Sequence, residues 1–334
     1  MILLTYGTRP EFLKLTSLIS ELDREDHDLY KLLFTGQHKD LANFPYDFHV
    51  EMKDELNRLD SIIASIMNEL PKYIEEYNIR SVVVQGDTTS ALAIALSAFN
   101  NGIKVIHLEA GLRTYDNENP FPEEMNRQII SRIADIHFCP TDRNAYNLHN
   151  ENIYKNVYVV GNTVIDNLLS YKSECEYTNT VLVTMHRREN HAKMHQWFTE
   201  INKLAKHYDT IRFVMPIHPN PNVQKHKHLL TNVNVIDPLP YDEMLKLLCK
   251  VKLVITDSGG LQEECSFLNK KCLVCRTVTE RTESVGRSSF MVNNPEQLET
   301  VFKKHIRYFR IDEVCPFGDG YASEQIVAIL KKYL

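Results

Sequence analysis

The sequence predicts an α/β protein of two domains, each an open parallel sheet covered by helices, with a ligand cleft between them. Three observations carry that expectation. The chain is 334 residues long, more than one hydrophobic core of ordinary size takes up. Short apolar runs alternate with longer stretches of helical period along its whole length, as parallel strands joined by crossover helices require. One polar, aromatic and strandless stretch, residues 171–179, divides two such series and reads as the linker between the halves.

In chain order the first half offers strands at 2–6, 31–35, 81–85, 105–108, 136–139 and 157–160. The second offers them at 180–185, 211–217, 233–236, 253–256, 272–275 and 289–292. Amphipathic helices fill many of the gaps, among them 60–77, 89–100 and 196–207. The domains therefore fall at 1–170 and 180–315. Ligands of open parallel sheets bind beyond the carboxyl ends of the strands, so chemistry is expected where a strand stops and a helix starts.

Bulk properties narrow the function. A formal net charge of −6 argues against a general nucleic-acid surface. No apolar run approaches the roughly 18–20 residues of a membrane span. The opening Met1-Ile2-Leu3-Leu4-Thr5 lacks the basic region and cleavage site of a signal peptide and begins a strand instead. The expected setting is the cytoplasm, with neither a nucleic-acid nor a membrane partner. Seven cysteines (Cys139, Cys175, Cys249, Cys265, Cys272, Cys275, Cys315) are odd in number and scattered, several in apolar contexts, which fits reduced, buried thiols. Cys272 and Cys275 spell CxxC, but in a strand-like run and not a turn entering a helix, which argues against a redox or zinc role.

Five clusters stand at strand ends. Gly7-Thr8-Arg9-Pro10-Glu11, with Lys14 one turn on, joins a tight turn to a helix start whose free N–H groups favour an anion. An ordinary capped helix with solvated charges explains the same residues. In Gln85-Gly86-Asp87-Thr88-Thr89, Asp87 either caps the next helix, as Thr88 equally can, or acts as a general base. His107-Leu108-Glu109-Ala110-Gly111-Leu112-Arg113-Thr114 leads to Pro120-Phe121-Pro122-Glu123, where two prolines stiffen the loop and deliver Glu123 to the next helix. Glu109 and Glu123 suit an acid/base pair held in different environments, or else are surface glutamates. His186-Arg187-Arg188-Glu189-Asn190 and His218-Pro219-Asn220-Pro221 put histidine and arginine at adjacent strand ends, suited to a pyrophosphate. A metal site is the rival there, but no compact ligand spacing such as HExxH occurs. Last, Ser258, Gly259 and Gly260 open a helix with N–H groups and a hydroxyl free for phosphate oxygens, and Glu264 one turn further suits ribose hydroxyls.

In this order, these clusters resemble the non-hydrolysing UDP-N-acetylglucosamine 2-epimerase family. The resemblance spans essentially the whole chain: GTRPE with Lys14, GQH at 36–38, QGDTT, HLEAGLRT, PFPEEMNR, GNTVID at 161–166, HRREN, HPNP, DSGGLQEE, TERTES at 279–284 and FGDGYAS at 317–323. It implies the glycosyltransferase-B architecture, two Rossmann-like domains around an interdomain active-site cleft, with a final helix, about 321–334, crossing back to the first domain. It also implies the chemistry: elimination of UDP from C1 with loss of the C2 proton, then re-addition with protonation on the other face. By motif, Asp87, Glu109 and Glu123 are the proton-handling carboxylates, supported by Lys14 and His186. Arg9, Arg113, His218, Ser258, Gly259, Gly260, Glu264 and Arg281 bind substrate and UDP. No metal or cofactor is implied, since neither half-reaction needs one. The expected partner is a UDP-linked 2-acetamido sugar, and the expected assembly is a homodimer serving polysaccharide biosynthesis.

UDP-N-acetylglucosamine is the default substrate; a UDP-2-acetamido-2,6-dideoxy-L-hexose or a diacetamido uronic acid are the alternatives. The chain departs from the family at Thr282, where proline is usual, at Met244, where an aromatic is expected near uracil, and between His38 and Asp60, where no regulatory-site arginine can be placed. A hydrolysing 2-epimerase, a glycosyltransferase of the same fold and a non-catalytic nucleotide-sugar sensor are the rivals. The retained GTRPE and EAGLRT patterns and the full acid/base set weigh against them.

Overall fold

Strand-to-helix alternation sets the architecture of the computed structural model, which describes residues 1–38, 41, 43–53 and 57–333. The chain forms two compact units, Met1–Asn167 with Gly318–Leu334, and Leu168–Phe317.

The first unit is built on seven parallel strands: β1 (Ile2–Tyr6), β2 (Tyr30–Phe34), β3 (Phe48–His49), β4 (Ser81–Gln85), β5 (Lys104–Leu108), β6 (Ile136–Cys139) and β7 (Val157–Val159). Their order in the sheet is β3-β2-β1-β4-β5-β6-β7, and Leu4 of β1 lies opposite Leu32 on one side and Val83 on the other. Alternation along β1 sends Ile2, Leu4 and Tyr6 into one core and Leu3 into a second, as a strand buried on both faces must. Helix α1 (Arg9–Glu25) covers the first face through Leu15, Leu18 and Leu22. Helices α2 (Arg58–Glu76) and α3 (Thr89–Asn100) cover the second through Ile62, Ile66, Leu70 and Ile94. Helices α4 (Glu123–Ile133), α5 (Asp142–Asn150) and α6 (Thr163–Asp166) follow β5, β6 and β7. Strand β3 went unread in the sequence, because two residues at a sheet edge carry no period. Residues 39, 40, 42 and 54–56, within the stretch where no regulatory-site arginine could be placed from sequence, lie outside the described residues.

The second unit has six parallel strands, β8 (Thr180–Thr184), β9 (Arg212–Pro216), β10 (Asn234–Ile236), β11 (Leu253–Thr256), β12 (Lys271–Val274) and β13 (Ser289–Met291), ordered β10-β9-β8-β11-β12-β13. Its helices are α7 (Leu169–Lys172), α8 (Met194–His207), α9 (Pro221–Gln224), α10 (Tyr241–Lys250), α11 (Gly259–Phe267) and α12 (Leu298–Arg307). Trp197 and Phe198 of α8 pack with Phe213 and Phe302 in its core. Residues 171–179 lie within this unit, where the Glu176 and Thr178 N–H groups donate to the Cys249 and Lys250 carbonyls, each at 3.0 Å. Cys272 lies in β12 and Cys275 just beyond it, both fully buried and unpaired.

Each sheet grows first to one side of its opening strand and then jumps to the other, so β1 and β4 are neighbours, and so are β8 and β11. Loops leaving those two carboxyl ends diverge onto opposite faces and leave a crevice, the place where open α/β sheets bind ligands.

The last helix, α13 (Ala322–Leu330), packs back on α1 and α6, with Ile326, Val327 and Leu330 in the core that holds Leu15 and Leu18. Its first N–H groups are satisfied from far away in sequence. The part-buried Asp166 carboxylate accepts from the Ala322 N–H at 3.0 Å and the Ser323 N–H at 2.7 Å. Asp166→Ala strands both donors, so unfolding of the first unit should cost about 1–3 kcal/mol less. Chemical denaturation checks this, and an unchanged midpoint would remove Asp166 as the anchor of the final helix.

Candidate active site

At the β1/β4 switch point a buried carboxylate holds the loops. Thr8 caps α1, and Glu11 reaches back to accept from the Gly7 N–H at 2.9 Å, the Thr8 N–H at 2.7 Å and the Thr8 hydroxyl at 2.8 Å. The same carboxylate accepts from the Thr88 hydroxyl at 2.6 Å, tying the loop after β1 to the loop after β4. Burial raises the Glu11 pKa, and these hydrogen bonds oppose it. Gly7 must be glycine, since a Cβ there would sit 2.3 Å from Thr35 Oγ1. The choice between Asp87 and Thr88 as helix cap is settled too: Thr88 caps α3, accepting from the Ala91 N–H at 3.0 Å, which leaves the Asp87 carboxylate for other work.

Asp87 remains part-exposed and accepts from Arg127 Nε at 2.8 Å, while its carbonyl accepts from Asn126 at 2.9 Å. Glu109, at the end of β5, has a left-handed backbone (φ 61°), a conformation uncommon for a non-glycine residue and found preferentially at functional sites. Its nearly buried carboxylate forms an ion pair with Lys14 and accepts from Gln85 Nε2 at 2.8 Å and Asn162 Nδ2 at 3.3 Å. Positive φ at the neighbouring Gly86 brings that backbone to the same carboxylate, since a Cβ there would stand 3.4 Å from Glu109 Oε2. Glu123 is the first residue of α4 and part-buried. Its neighbour Glu124, fully buried, accepts from the Thr114 and Tyr115 N–H groups and from Arg127 Nη1 at 2.9 Å, fixing the loop ahead of the helix.

Arg113, expected to bind substrate, has a different place. Its guanidinium is wholly buried, donating to Glu151 at 2.7 and 2.9 Å, to Ser131 at 2.9 Å and to the Leu112 carbonyl. These bonds hold the loop after β5 to the α5 end. Arg9 is exposed at the start of α1, over the Phe44 ring at 5.6 Å.

The second unit repeats the device at β8/β11. Asp257, fully buried, accepts from the His186 N–H at 3.1 Å, the Arg187 N–H at 2.9 Å and Asn190 Nδ2 at 3.0 Å. The His186 ring, its Nδ1 3.7 Å from Asp257, stacks on His218 with centroids 4.9 Å apart. Burial lowers the pKa of both rings. His218 Nδ1 accepts from the Asn220 N–H at 3.1 Å, so its neutral form carries the proton on Nε2, ready to donate. Ser258 stands at the cap of α11 with its hydroxyl unused for capping. Arg281 lies against Gly259, where a Cβ would meet Nη1 at 2.8 Å, and pairs with Glu263 at 2.8 Å and with Glu280. Gly260 faces open space. Glu264 is buried and accepts from the Tyr241 hydroxyl at 3.3 Å. Among the described residues, no three His, Cys, Asp or Glu side chains gather as a metal site.

The profile of the UDP-N-acetylglucosamine 2-epimerase family matches residues 20–331. The chain belongs to that family. It is 35% identical to the UDP-N-acetylglucosamine 2-epimerase of Campylobacter jejuni, over 99% of this chain and 97% of that one. The crystal structure of the Neisseria meningitidis enzyme bound to UDP-GlcNAc superposes with a TM-score of 0.90 at 35% identity, covering 99% of both chains. The Methanocaldococcus jannaschii enzyme in complex with UDP-GlcNAc and UDP gives 0.83 at 29% identity, again over 99% of both. A more distant likeness, to Acinetobacter baumannii MurG at 12% identity and a TM-score of 0.60, concerns the fold alone. The two parallel-sheet units are thus of the glycosyltransferase-B type.

Within this family frame, several motif residues with no role evident from sequence hold the candidate carboxylates or the loops that carry them. They are Glu11, Gln85, Glu124, Arg127, Asn162 and Asp257. The signal was present: a charged or amide residue inside an apolar strand end or helix start has to be paired. What the sequence withheld was the identity of each partner.

His107 of β5 lies wholly inside, its Nε2–H donating to the Gly86 carbonyl at 2.8 Å, and burial lowers its pKa from 6.5 to about 3. The unfolded chain takes up a proton near pH 6.5 and the folded one only near 3, so this contribution is complete above pH 6.5 and is lost as pH falls through that window. NMR of the ring should show His107 neutral from about pH 8 to about pH 5. A His107 that titrates near its ordinary value would refute the buried neutral ring.

Proposed function

We propose that this chain inverts C2 of UDP-N-acetylglucosamine, giving UDP-N-acetylmannosamine, by eliminating UDP to a bound 2-acetamidoglycal and adding it back. The observation that carries the mechanism is the Glu109 carboxylate, held at a strand end on a left-handed backbone by Lys14, Gln85 and Asn162. An acid/base group must keep its place through both half-reactions, and three donors from three elements keep it there. Relatives solved with UDP-GlcNAc bound support the substrate.

The chemistry divides into two tasks. The C2 hydrogen is weakly acidic, so one face needs a base and the other an acid. Asp87, Glu109 and Glu123 supply them, with Lys14 setting the charge beside Glu109. Expulsion of UDP needs positive charge and N–H donors at the pyrophosphate. The first turn of α11 with Ser258, Gly259 and Gly260, the His218 Nε2–H, His186 and Arg9 provide these, Arg281 buttresses the turn, and Glu264 takes the ribose hydroxyls. Arg113 acts from behind the site by holding its loop.

No helix among the described residues is long and apolar enough to cross a membrane, and the cysteines are free thiols. Both fit our placement of the enzyme in the reducing cytoplasm, as a homodimer serving polysaccharide biosynthesis. Light scattering tests the dimer.

Glu109→Gln, Glu123→Gln and Asp87→Asn should each cut turnover at least about a hundredfold, within the range for lost general acid–base groups, with UDP affinity little changed. Near-wild-type rates in all three would sink the assignment. In heavy water the product should carry deuterium at C2, and an 18O label bridging C1 and the β-phosphorus should scramble into non-bridging positions. Product without deuterium would rule out a solvent-exchanging elimination, and a label still bridging would argue for a carbanion mechanism that never breaks the C1–oxygen bond.

A further inference from the structure

Two thiols that the reaction does not use meet in the second unit. Cys175 follows α7, and Cys249 lies on the last turn of α10. The Tyr171 carbonyl oxygen is 3.5 Å from Cys175 Sγ and 3.6 Å from Cys249 Sγ. The main chains beside them are hydrogen-bonded neighbours, through the Glu176 N–H to the Cys249 carbonyl at 3.0 Å. Lys270, wholly buried, fastens the same junction by donating to the Glu176 carbonyl at 2.6 Å and the Val251 carbonyl at 3.0 Å. We propose that Cys175 and Cys249 form a peroxide-reactive dithiol, in which part-exposed Cys175 is oxidised first and buried Cys249 resolves it to a disulfide.

The asymmetry of the pair supports that order. The Cys175 thiol is held below its ordinary value, first by the hydrogen bond from the Cys249 thiol and then, against some burial, by the Lys270 and Lys172 charges. The same hydrogen bond, with burial, pushes the Cys249 thiol up. Burial also raises Cys139, Cys265, Cys275 and Cys315, so Cys175 differs from these four in favouring the thiolate.

In the first step the Cys175 thiolate attacks an oxygen of hydrogen peroxide. An S–O bond forms, the O–O bond breaks, and the departing hydroxide takes up a proton as water. In the second, Cys249 loses its proton and attacks the Cys175 sulfenic sulfur. The S–S bond forms as S–O breaks, and the hydroxide leaves as a second water. Two thiols and one peroxide give one disulfide and two waters. The bond would fasten the end of α10 to the segment that enters the second unit. The first residue of α10 is Tyr241, which donates to Glu264.

The test uses the full chain treated with hydrogen peroxide, quenched with iodoacetamide, digested and mapped by mass spectrometry. We expect two of the seven thiols to disappear into a Cys175–Cys249 cross-linked peptide pair that dithiothreitol restores. In the untreated protein Cys175 should alkylate at least about tenfold faster than Cys139 near neutral pH. Cys249→Ser should leave a dimedone-trappable sulfenic acid on Cys175. Both wild-type measurements stand even if the variant folds poorly. Cross-links between other cysteines, or a Cys175 that stays reduced while others oxidise, would overturn the proposal.

Discussion

A buried carboxylate at each switch point holds the rest of the site in place. Loops leaving adjacent strands there diverge, so nothing in the sheet ladder fixes them to each other. Glu11 in the first unit does so by collecting donors from both loops, and Asp257 in the second, itself in the loop after β11, by collecting them from the loop after β8. A buried charge is costly unless its acceptor sites are filled, and each filled site contributes about 1.5–3 kcal/mol when one partner is charged. That pairing of cost and reward makes the loop geometry all-or-none. Removing one donor weakens the clamp, whereas removing the carboxylate strands three or four donors together.

The candidate catalytic acids are held differently. Asp87 and Glu109 each face a cation, Arg127 and Lys14, and each keeps part of its surface exposed. Arg127 also bonds Glu124, which fixes the loop ahead of Glu123. One guanidinium therefore spaces the loop after β4 against the entry to α4, and two of the three candidate carboxylates are positioned by a residue that need not touch substrate. Glu109 adds backbone strain of about 1–3 kcal/mol, which persists only where surrounding contacts over-determine it. The ion pair and the two amides supply those contacts.

Parallel strands buried on both faces are near-continuous apolar runs, which is why twelve of the thirteen strands among the described residues were legible with ends shifted by a residue or so. The two-residue β3 had no pattern to read. Candidate site residues were legible where a strand end and a glycine meet a helix start, as at Gly7–Glu11 or Ser258–Gly260. Roles were not, because a strand-end charge looks the same whether it faces ligand or another charge. Arg113 is the clearest case, since its partners Ser131 and Glu151 lie on other elements with no sequence relation to it. The Cys175–Cys249 contact was invisible for the same reason.

Thr88 shows what the structure adds to such a motif. In QGDTT two residues suit the cap and one suits the chemistry, and composition alone leaves them equivalent. The chain assigns the cap to Thr88, whose oxygen accepts from Ala91 while its hydroxyl proton goes to Glu11. A hydroxyl can accept and donate at once, whereas an ionised carboxylate only accepts. Only Thr88 can therefore cap α3 and bridge to the buried acid in the neighbouring loop. Asp87 in that position would set two carboxylates against each other. The division of labour follows from the proton each side chain has to give, and it keeps the Asp87 carboxylate out of the cap and on Arg127.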